Sequence, residues 1–254
     1  MLTALLLAFS SCEIETEEYF CLPDKVTRTI SHGTSATSII ADFKYEGDRL
    51  DHVVYSNFQT HYYSYDPSGN VSKISRKDVQ RFENLESIMS WEGGLMTRSD
   101  EYRIALDRFT QENTDTSYKG YREFEYDGNK LVAETIFSVK DTSKKAKVDA
   151  YKTYEYDAVG NLIQYVEFNK IDGDTVEAYR YAYDQAPNPF AELNLAFEGL
   201  TYVNNILERE DLLSGELYSY QIIYSPTNFP SQINIRQDNY LVEVVRVDYT
   251  CENL

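Results

Sequence analysis

The feature that most constrains this chain is a phrase it repeats, seen most fully in Tyr154-Glu155-Tyr156-Asp157-Ala158-Val159-Gly160-Asn161-Leu162-Ile163-Gln164-Tyr165. Aromatic and polar residues alternate into Asp157, a turn signal follows, and apolar residues alternate out of it, which reads as one β-hairpin. Each residue has a physical task. Asp at the turn entrance can accept hydrogen bonds from the backbone just ahead, Gly takes positive φ at no steric cost, and Asn tolerates the left-handed region. On strict alternation Tyr154, Tyr156, Leu162, Val166 and Phe168 share one face, with Thr153, Glu155 and Glu167 on the other.

The phrase recurs. Phe43 to Leu50 is followed by Val53, Val54 and Tyr55, Tyr63 to Val71 by Ile74, and Phe124 to Leu131 closes a further copy. Met89 to Leu95 is a degenerate copy in which Trp91 takes the Tyr place. The spacing varies between about 20 and 40 residues, unlike a strict solenoid or propeller. The predicted fold is therefore all-β: an antiparallel meander of YDxxGN-type hairpins forming a curled or barrel-like sheet, with at most one short helix. The chain's 23 Tyr and 12 Phe, against 6 Pro, agree, because aromatic residues suit a pleated, half-buried surface.

Asp141 to Lys145 and Lys170 to Asp174 read as polar loops between returning strands. The pattern breaks at Pro187-Asn188-Pro189-Phe190, which cannot continue a ladder, and Ala191 to Phe197 is the place for the short helix or a lid segment. Hairpins resume over Glu216 to Tyr224, turning through Ser225 to Pro230 into Gln232 to Ile235. A last turn at Gln237-Asp238-Asn239 leads to Leu241 to Tyr249.

At the front, Leu2 to Phe9 is apolar but too short to span a bilayer, which takes about 20 residues; it suits the apolar region of a secretory signal. The small residues Ser10-Ser11 before Cys12 resemble the lipobox of bacterial lipoproteins, which implies that Cys12 becomes the first mature residue and carries the lipid. No Lys or Arg precedes Cys12, and Phe9 stands where that family prefers Leu. A soluble secreted chain or a buried N-terminal strand are the other readings of this segment. The expected organisation is a signal peptide over 1–11, an acidic tether over 12–24 and one all-β domain over 25–254. Glu13-Ile14-Glu15-Thr16-Glu17-Glu18 is also similar to the acidic tract that directs some lipoproteins to the outer face of the outer membrane. With Cys12 acylated, Cys21 and Cys251 remain near opposite ends of the domain. In an oxidising compartment they either pair, closing a loop worth on the order of 4 kcal/mol in the chain-entropy model, or stay free thiols.

Tyr65-Asp66-Pro67-Ser68-Gly69-Asn70 and Tyr156-Asp157-Ala158-Val159-Gly160-Asn161 resemble the YD repeat of Rhs-type proteins. Together with Asn188-Pro189-Phe190 and the Tyr224 to Pro230 turn, they resemble a family of exported lipoproteins of unknown function from Gram-negative gut bacteria. The resemblance covers most of residues 40–250 and implies a fold and an address in the outer membrane, on its periplasmic or cell-surface side, but no activity.

Little in the sequence carries chemistry. Gly-x-Ser-x-Gly, Gly-Lys-Ser/Thr and His-Glu-x-x-His motifs are absent. The histidines His32, His52 and His61 are too dispersed for a metal site, and Asp172-Gly173-Asp174 lacks the further ligands of a calcium loop. Asp174-Thr175-Val176 resembles the short O-glycan acceptor of such bacteria, with Thr175 modified. Carboxylate pairs such as Glu123 and Glu125 abound by chance among 42 acidic residues. A net charge of -18 argues against nucleic acid as a partner. The aromatic rows offer the clearest candidate contacts, Trp91, Tyr179, Tyr181 and Tyr183, which can stack on sugars or anchor a partner, or simply be covered. The expectation is a non-catalytic binding or scaffolding module of the cell envelope, without cofactor, meeting the membrane through its lipid and a glycan or envelope protein through its surface. The alternatives are a glycan-binding module for polysaccharide capture and a hydrolase using a carboxylate pair.

Overall fold

The computed structural model describes residues 19–33, 35–139, 145–170, 172–188, 190–191 and 202–253. The signal segment 1–11, Cys12, tether residues 13–18, loop residues 141–144, Ile171 and residues 192–197 of the expected helix lie outside the described residues.

Sixteen strands follow in order: β1 (Tyr19–His32), β2 (Ser35–Glu46), β3 (Arg49–Tyr55), β4 (Gln59–Tyr65), β5 (Val71–Asp78), β6 (Glu83–Glu92), β7 (Leu95–Leu106), β8 (Asn113–Asp127), β9 (Lys130–Ser138), β10 (Lys147–Tyr156), β11 (Leu162–Asn169), β12 (Thr175–Pro187), β13 (Asn204–Asp211), β14 (Leu217–Tyr224), β15 (Pro230–Gln237) and β16 (Tyr240–Asn253). Each pairs antiparallel with its sequence neighbours, and β1 pairs with β16, so the meander closes into a barrel. Closure leaves no free edge to template pairing with another chain. No helix occurs among the described residues. β1 begins at Tyr19, so Tyr19–Asp24, expected as the end of the tether, belong to the barrel.

The topology gives the barrel two unlike ends. Every turn of the repeated phrase, from Gly47 to Asn161, sits at one end, as do the first residues of β1 and the last of β16. Cys21 and Cys251 face each other there across the seam and are joined. We call this end the floor and the other the mouth.

A bulge is built into each repeat. The register shifts just before Tyr45, Tyr65, Trp91, Tyr126 and Tyr156, so one extra residue sits on the returning strand: Asp51, Ser72, Thr97, Val132 and Ile163. The bulge resets the alternation. Leu50 and Val53, or Val71 and Ile74, thus both face inward although three residues apart, and all four are buried. The same shift corrects the expected face of the fifth hairpin. Tyr165 and Glu167 line the lumen beside Tyr154 and Leu162, while Val166 and Phe168 point outward, because a one-residue slip moves every later side chain to the other face.

The apolar core occupies the floor half of the lumen and includes Phe43, Leu50, Val53, Ile74, Leu131 and Leu162. Burying each such side chain stabilises the fold by roughly 1.5–3 kcal/mol.

Candidate functional site: the barrel lumen

The turns that close the floor follow the expected chemistry. Asp157 Oδ1 accepts from the backbone N–H groups of Val159, Gly160 and Asn161 at 3.0, 2.8 and 2.8 Å, and Gly160 takes φ 102°. Asp66 accepts from Asn70 in the same way, and those hydrogen bonds hold its carboxyl below the usual range.

The aromatic residue before each turn has a second role. The hydroxyls of Tyr45, Tyr65, Tyr126, Tyr183 and Tyr249 donate to the backbone carbonyls of Pro23, Leu50, Met96, Leu162 and Pro230 at 2.7, 2.7, 3.0, 2.6 and 2.8 Å. Trp91 donates its indole N–H to the Val71 carbonyl at 2.8 Å. Each bond ties one hairpin to the one before it, so the ring of aromatics closes the floor. Burial pushes the hydroxyls of Tyr45, Tyr183 and Tyr249 well above the usual phenol range and Tyr126 up to about 12. The ring thus stays protonated and able to donate.

Above the apolar layer the lumen turns polar. Arg76 donates to Ser87 Oγ at 3.0 Å, and Ser87 donates to Glu101 at 2.9 Å. Glu101 also accepts from Ser99 at 3.1 Å and Arg122 at 3.0 Å. Arg122 lies 3.6 Å from Glu134, which is 1% exposed and accepts from the Tyr154 hydroxyl at 2.7 Å. This belt crosses β5 to β10. A buried carboxylate without partners would be strongly unfavourable, and the belt supplies them.

The tyrosine row adjoins the belt, beginning with Tyr165 on β11, whose ring centroid lies 5.7 Å from that of Tyr154. Tyr179, Tyr181 and Tyr183 share the lumen face of β12, and their neighbouring ring centroids are 6.5 Å apart. Tyr179 stacks on Tyr165 at 6.0 Å, and Tyr202 lies 6.0 Å from both Tyr181 and Tyr183. Arg209 lies over the rings of Tyr179 and Tyr218 at 5.3 and 4.4 Å, a cation–π sandwich. The structure therefore brings three of the four aromatic candidates together inside the barrel and puts Trp91 apart, in the floor ring. Thr175 is exposed at the start of β12, on the mouth side.

Other sequence candidates part company. His52 stacks on Tyr62 outside the barrel while His61 lies against Tyr55 inside it, so the two face away from each other. Glu123 points outward, 3.6 Å from Arg98. A carboxylate pair does form in the lumen between Glu167 and Glu177, cross-strand partners that both accept from the Tyr165 hydroxyl, at 2.6 and 3.3 Å.

At the mouth, β4, β5 and β6 enclose a cavity of about 260 Å³ lined by Gln59, His61, Arg76, Asp78, Glu83 and Leu85, with Arg81 at its rim. Burial, and then the charge of Arg76, lowers the His61 pKa to about 4, so its ring is neutral at pH 7. Sequence reasoning missed Arg76 and Arg209. The signal available was parity: Arg76 lies two residues beyond the inward Ile74, on the same face.

The outer wall carries ion pairs: Lys25 with Asp42 at 3.7 Å, Lys73 with Glu86 at 2.9 Å, Arg98 with Asp100 at 2.8 Å and Arg180 with Glu210 at 3.1 Å. Between these pairs stand outward apolar side chains such as Ile40, Val54, Ile88 and Ile163.

No protein-family model matches the chain, nor does any curated protein. Among solved structures the chain is similar to a porin-like protein from Bacteroides uniformis, at 12% identity and TM-score 0.55, covering 93% of this chain and 96% of that one. It is similar in the same degree to a porin-like protein from Bacteroides vulgatus, at 12% identity and TM-score 0.54, covering 90% and 98%. The chain thus shares the closed-barrel fold of these proteins over nearly its whole length.

Proposed function

We propose that this protein is a non-catalytic binding module of the cell envelope, held by a lipid at Cys12, with its lumen mouth directed away from the anchor. The observation that carries this reading is the polarity of the barrel. Both chain ends leave at the aromatic floor beside the joined Cys21 and Cys251, while the polar lumen opens at the other end. Cys12 precedes Tyr19 by seven residues, a reach of at most about 25 Å for extended chain, so the floor stays near the anchoring surface. The disulfide suits an oxidising compartment. The YD-like turns ally the chain with exported YD-repeat lipoproteins, and an outer-membrane address follows from that kinship. Thr175, exposed on the mouth side, is a reachable O-glycan acceptor.

A glycan is the ligand class the lumen fits best, because Tyr179 and Tyr181 beside Arg209 combine ring faces with a polar group, the chemistry that stacks on sugars. Binding is favoured over hydrolysis because the Tyr165 hydroxyl bridges Glu167 and Glu177, where a catalytic pair would need water or substrate. Acyl labelling of the wild type against Cys12→Ser tests the anchor, and equal labelling would refute it. A glycan array tests the ligand class: a hit should weaken at least tenfold in Tyr181→Ala, and a hit indifferent to that change would move the site out of the lumen.

A further inference from the structure

We propose that the mouth cavity around Arg76 and His61 is an oxyanion site that takes the carboxylate or sulfate group of an acidic saccharide. The proposal deepens the binding-module reading and rests on it.

Arg76 is the lumen-facing cation of this cavity, and among the described residues no carboxylate lies within ion-pair distance of it. Its one hydrogen-bond partner among the described residues is the hydroxyl of Ser87, at 3.0 Å. The neighbouring carboxylates are engaged elsewhere. Glu101 accepts from Ser87, Ser99 and Arg122. Asp78 accepts from the Gln59 amide at 3.1 Å and the Arg81 backbone N–H at 3.0 Å. Glu83 lies 2.6 Å from Arg103 and 3.9 Å from Arg81. A guanidinium offers five N–H donors in a planar fork that matches an oxyanion. Ser87 occupies one and orients the plane, leaving the others toward the cavity.

The neighbouring groups suit an anion attached to a larger ligand. His61 pairs directly across from Arg76 and is neutral at pH 7, so it contributes a ring N–H or lone pair without opposing charge. Leu85 pairs with Arg76 on the other side and is 39% exposed although it faces inward, an apolar wall for a sugar ring. The net charge of -18 repels anions at long range, but beyond about 8 Å that repulsion is screened at physiological salt. Recognition then falls to the short-range guanidinium fork.

The test reads His61 itself. Its ring proton shift is followed by NMR as a function of pH in full-length protein, assigned with His61→Gln, in the presence of sodium sulfate or glucuronate. An oxyanion beside Arg76 offsets the charge that helps depress His61, so the midpoint should rise from about 4 by about one pH unit. Arg76→Gln should abolish the anion-dependent rise, and Arg180→Gln on the outer wall should retain it. Should Arg76→Gln fail to fold, Arg76→Lys, which keeps a charge without the fork, should give a weaker rise. A rise with glucuronate supports a saccharide-borne anion, whereas a rise with sulfate alone overturns that source and makes free inorganic anion the ligand. No rise with either, or an equal rise in Arg76→Gln, overturns the site. Acyl labelling is unaffected by these changes, so loss of the oxyanion site and loss of the anchored-module reading are separately visible.

Discussion

The indole N–H of Trp91 reaches the carbonyl of Val71 at 2.8 Å, the span that tyrosine hydroxyls close in five other hairpins. Trp91 therefore stands in for tyrosine as a donor and not only as an aromatic. Trp91→Phe should lower stability by about 1–2 kcal/mol, because it leaves the Val71 carbonyl without its partner. Trp91→Tyr keeps a donor and should lose less. Urea unfolding followed by circular dichroism separates them, and equal midpoints would mean the floor bond contributes nothing.

Tyr156 is the exception in the ring. Its hydroxyl is buried without a hydrogen-bond partner, and burial holds it well above the usual phenol range. Removing an unpartnered buried hydroxyl relieves a desolvation cost, so Tyr156→Phe should be neutral or stabilising by up to about 1 kcal/mol. Tyr65→Phe, which deletes a donor to the Leu50 carbonyl, should destabilise by about 1 kcal/mol. The opposite order of melting temperatures would contradict the assignment of the two hydroxyls.

Much of this fold was legible in the sequence because the information is local. The Asp157, Gly160 and Asn161 turn chemistry, and the place of Trp91 in the repeat, depend on residues a few positions apart. What strict alternation could not show was the bulge at Ile163, which changes the lumen set from Val166 and Phe168 to Tyr165 and Glu167. The signal existed in the recurring i, i+3 spacing of Leu50 with Val53, Val71 with Ile74 and Leu162 with Tyr165. The polar belt was illegible for a different reason. Arg76, Glu101, Arg122 and Glu134 come from four strands, and only the registers in which β5 to β9 pair make them neighbours.

Gly120 faces the lumen in β8 at φ 138°, where a Cβ would lie 1.8 Å from the Phe137 carbonyl oxygen. Backbone cannot retreat from such a clash without breaking the β8 and β9 pairing. Gly120→Ala should destabilise by more than about 3 kcal/mol, outside the ordinary range of point substitutions. Unfolding at an unchanged midpoint would show that the strand shifts freely there.

His61 makes stability depend on pH. Its pKa in the folded protein is lowered to about 4, first by burial and then by Arg76, against about 6.5 in the unfolded chain. Between these values the unfolded chain binds more protons, so stability is complete above about pH 6.5 and falls as pH drops toward 4. The ring is part-exposed and screened, so the fall should be roughly 1–2 kcal/mol, less than the whole shift implies. His61→Gln should flatten the profile in that window, and an unchanged slope would assign it to other groups.

The joined Cys21 and Cys251 lie 230 residues apart in sequence and sit one opposite the other at the floor end of the seam. Cross-linking so long a loop removes entropy from the unfolded chain, worth about 5.5 kcal/mol in the chain-entropy model. The β1 and β16 ladder extends from Cys21 to Ile30 independently of the bond. Reduction, or the double change Cys21→Ser with Cys251→Ser, should therefore leave a folded barrel with a lower unfolding midpoint. Hydrogen exchange should quicken first at Leu22 and Thr250, the floor end of the seam. Unchanged midpoint and exchange on reduction would show that the ladder alone holds the barrel closed.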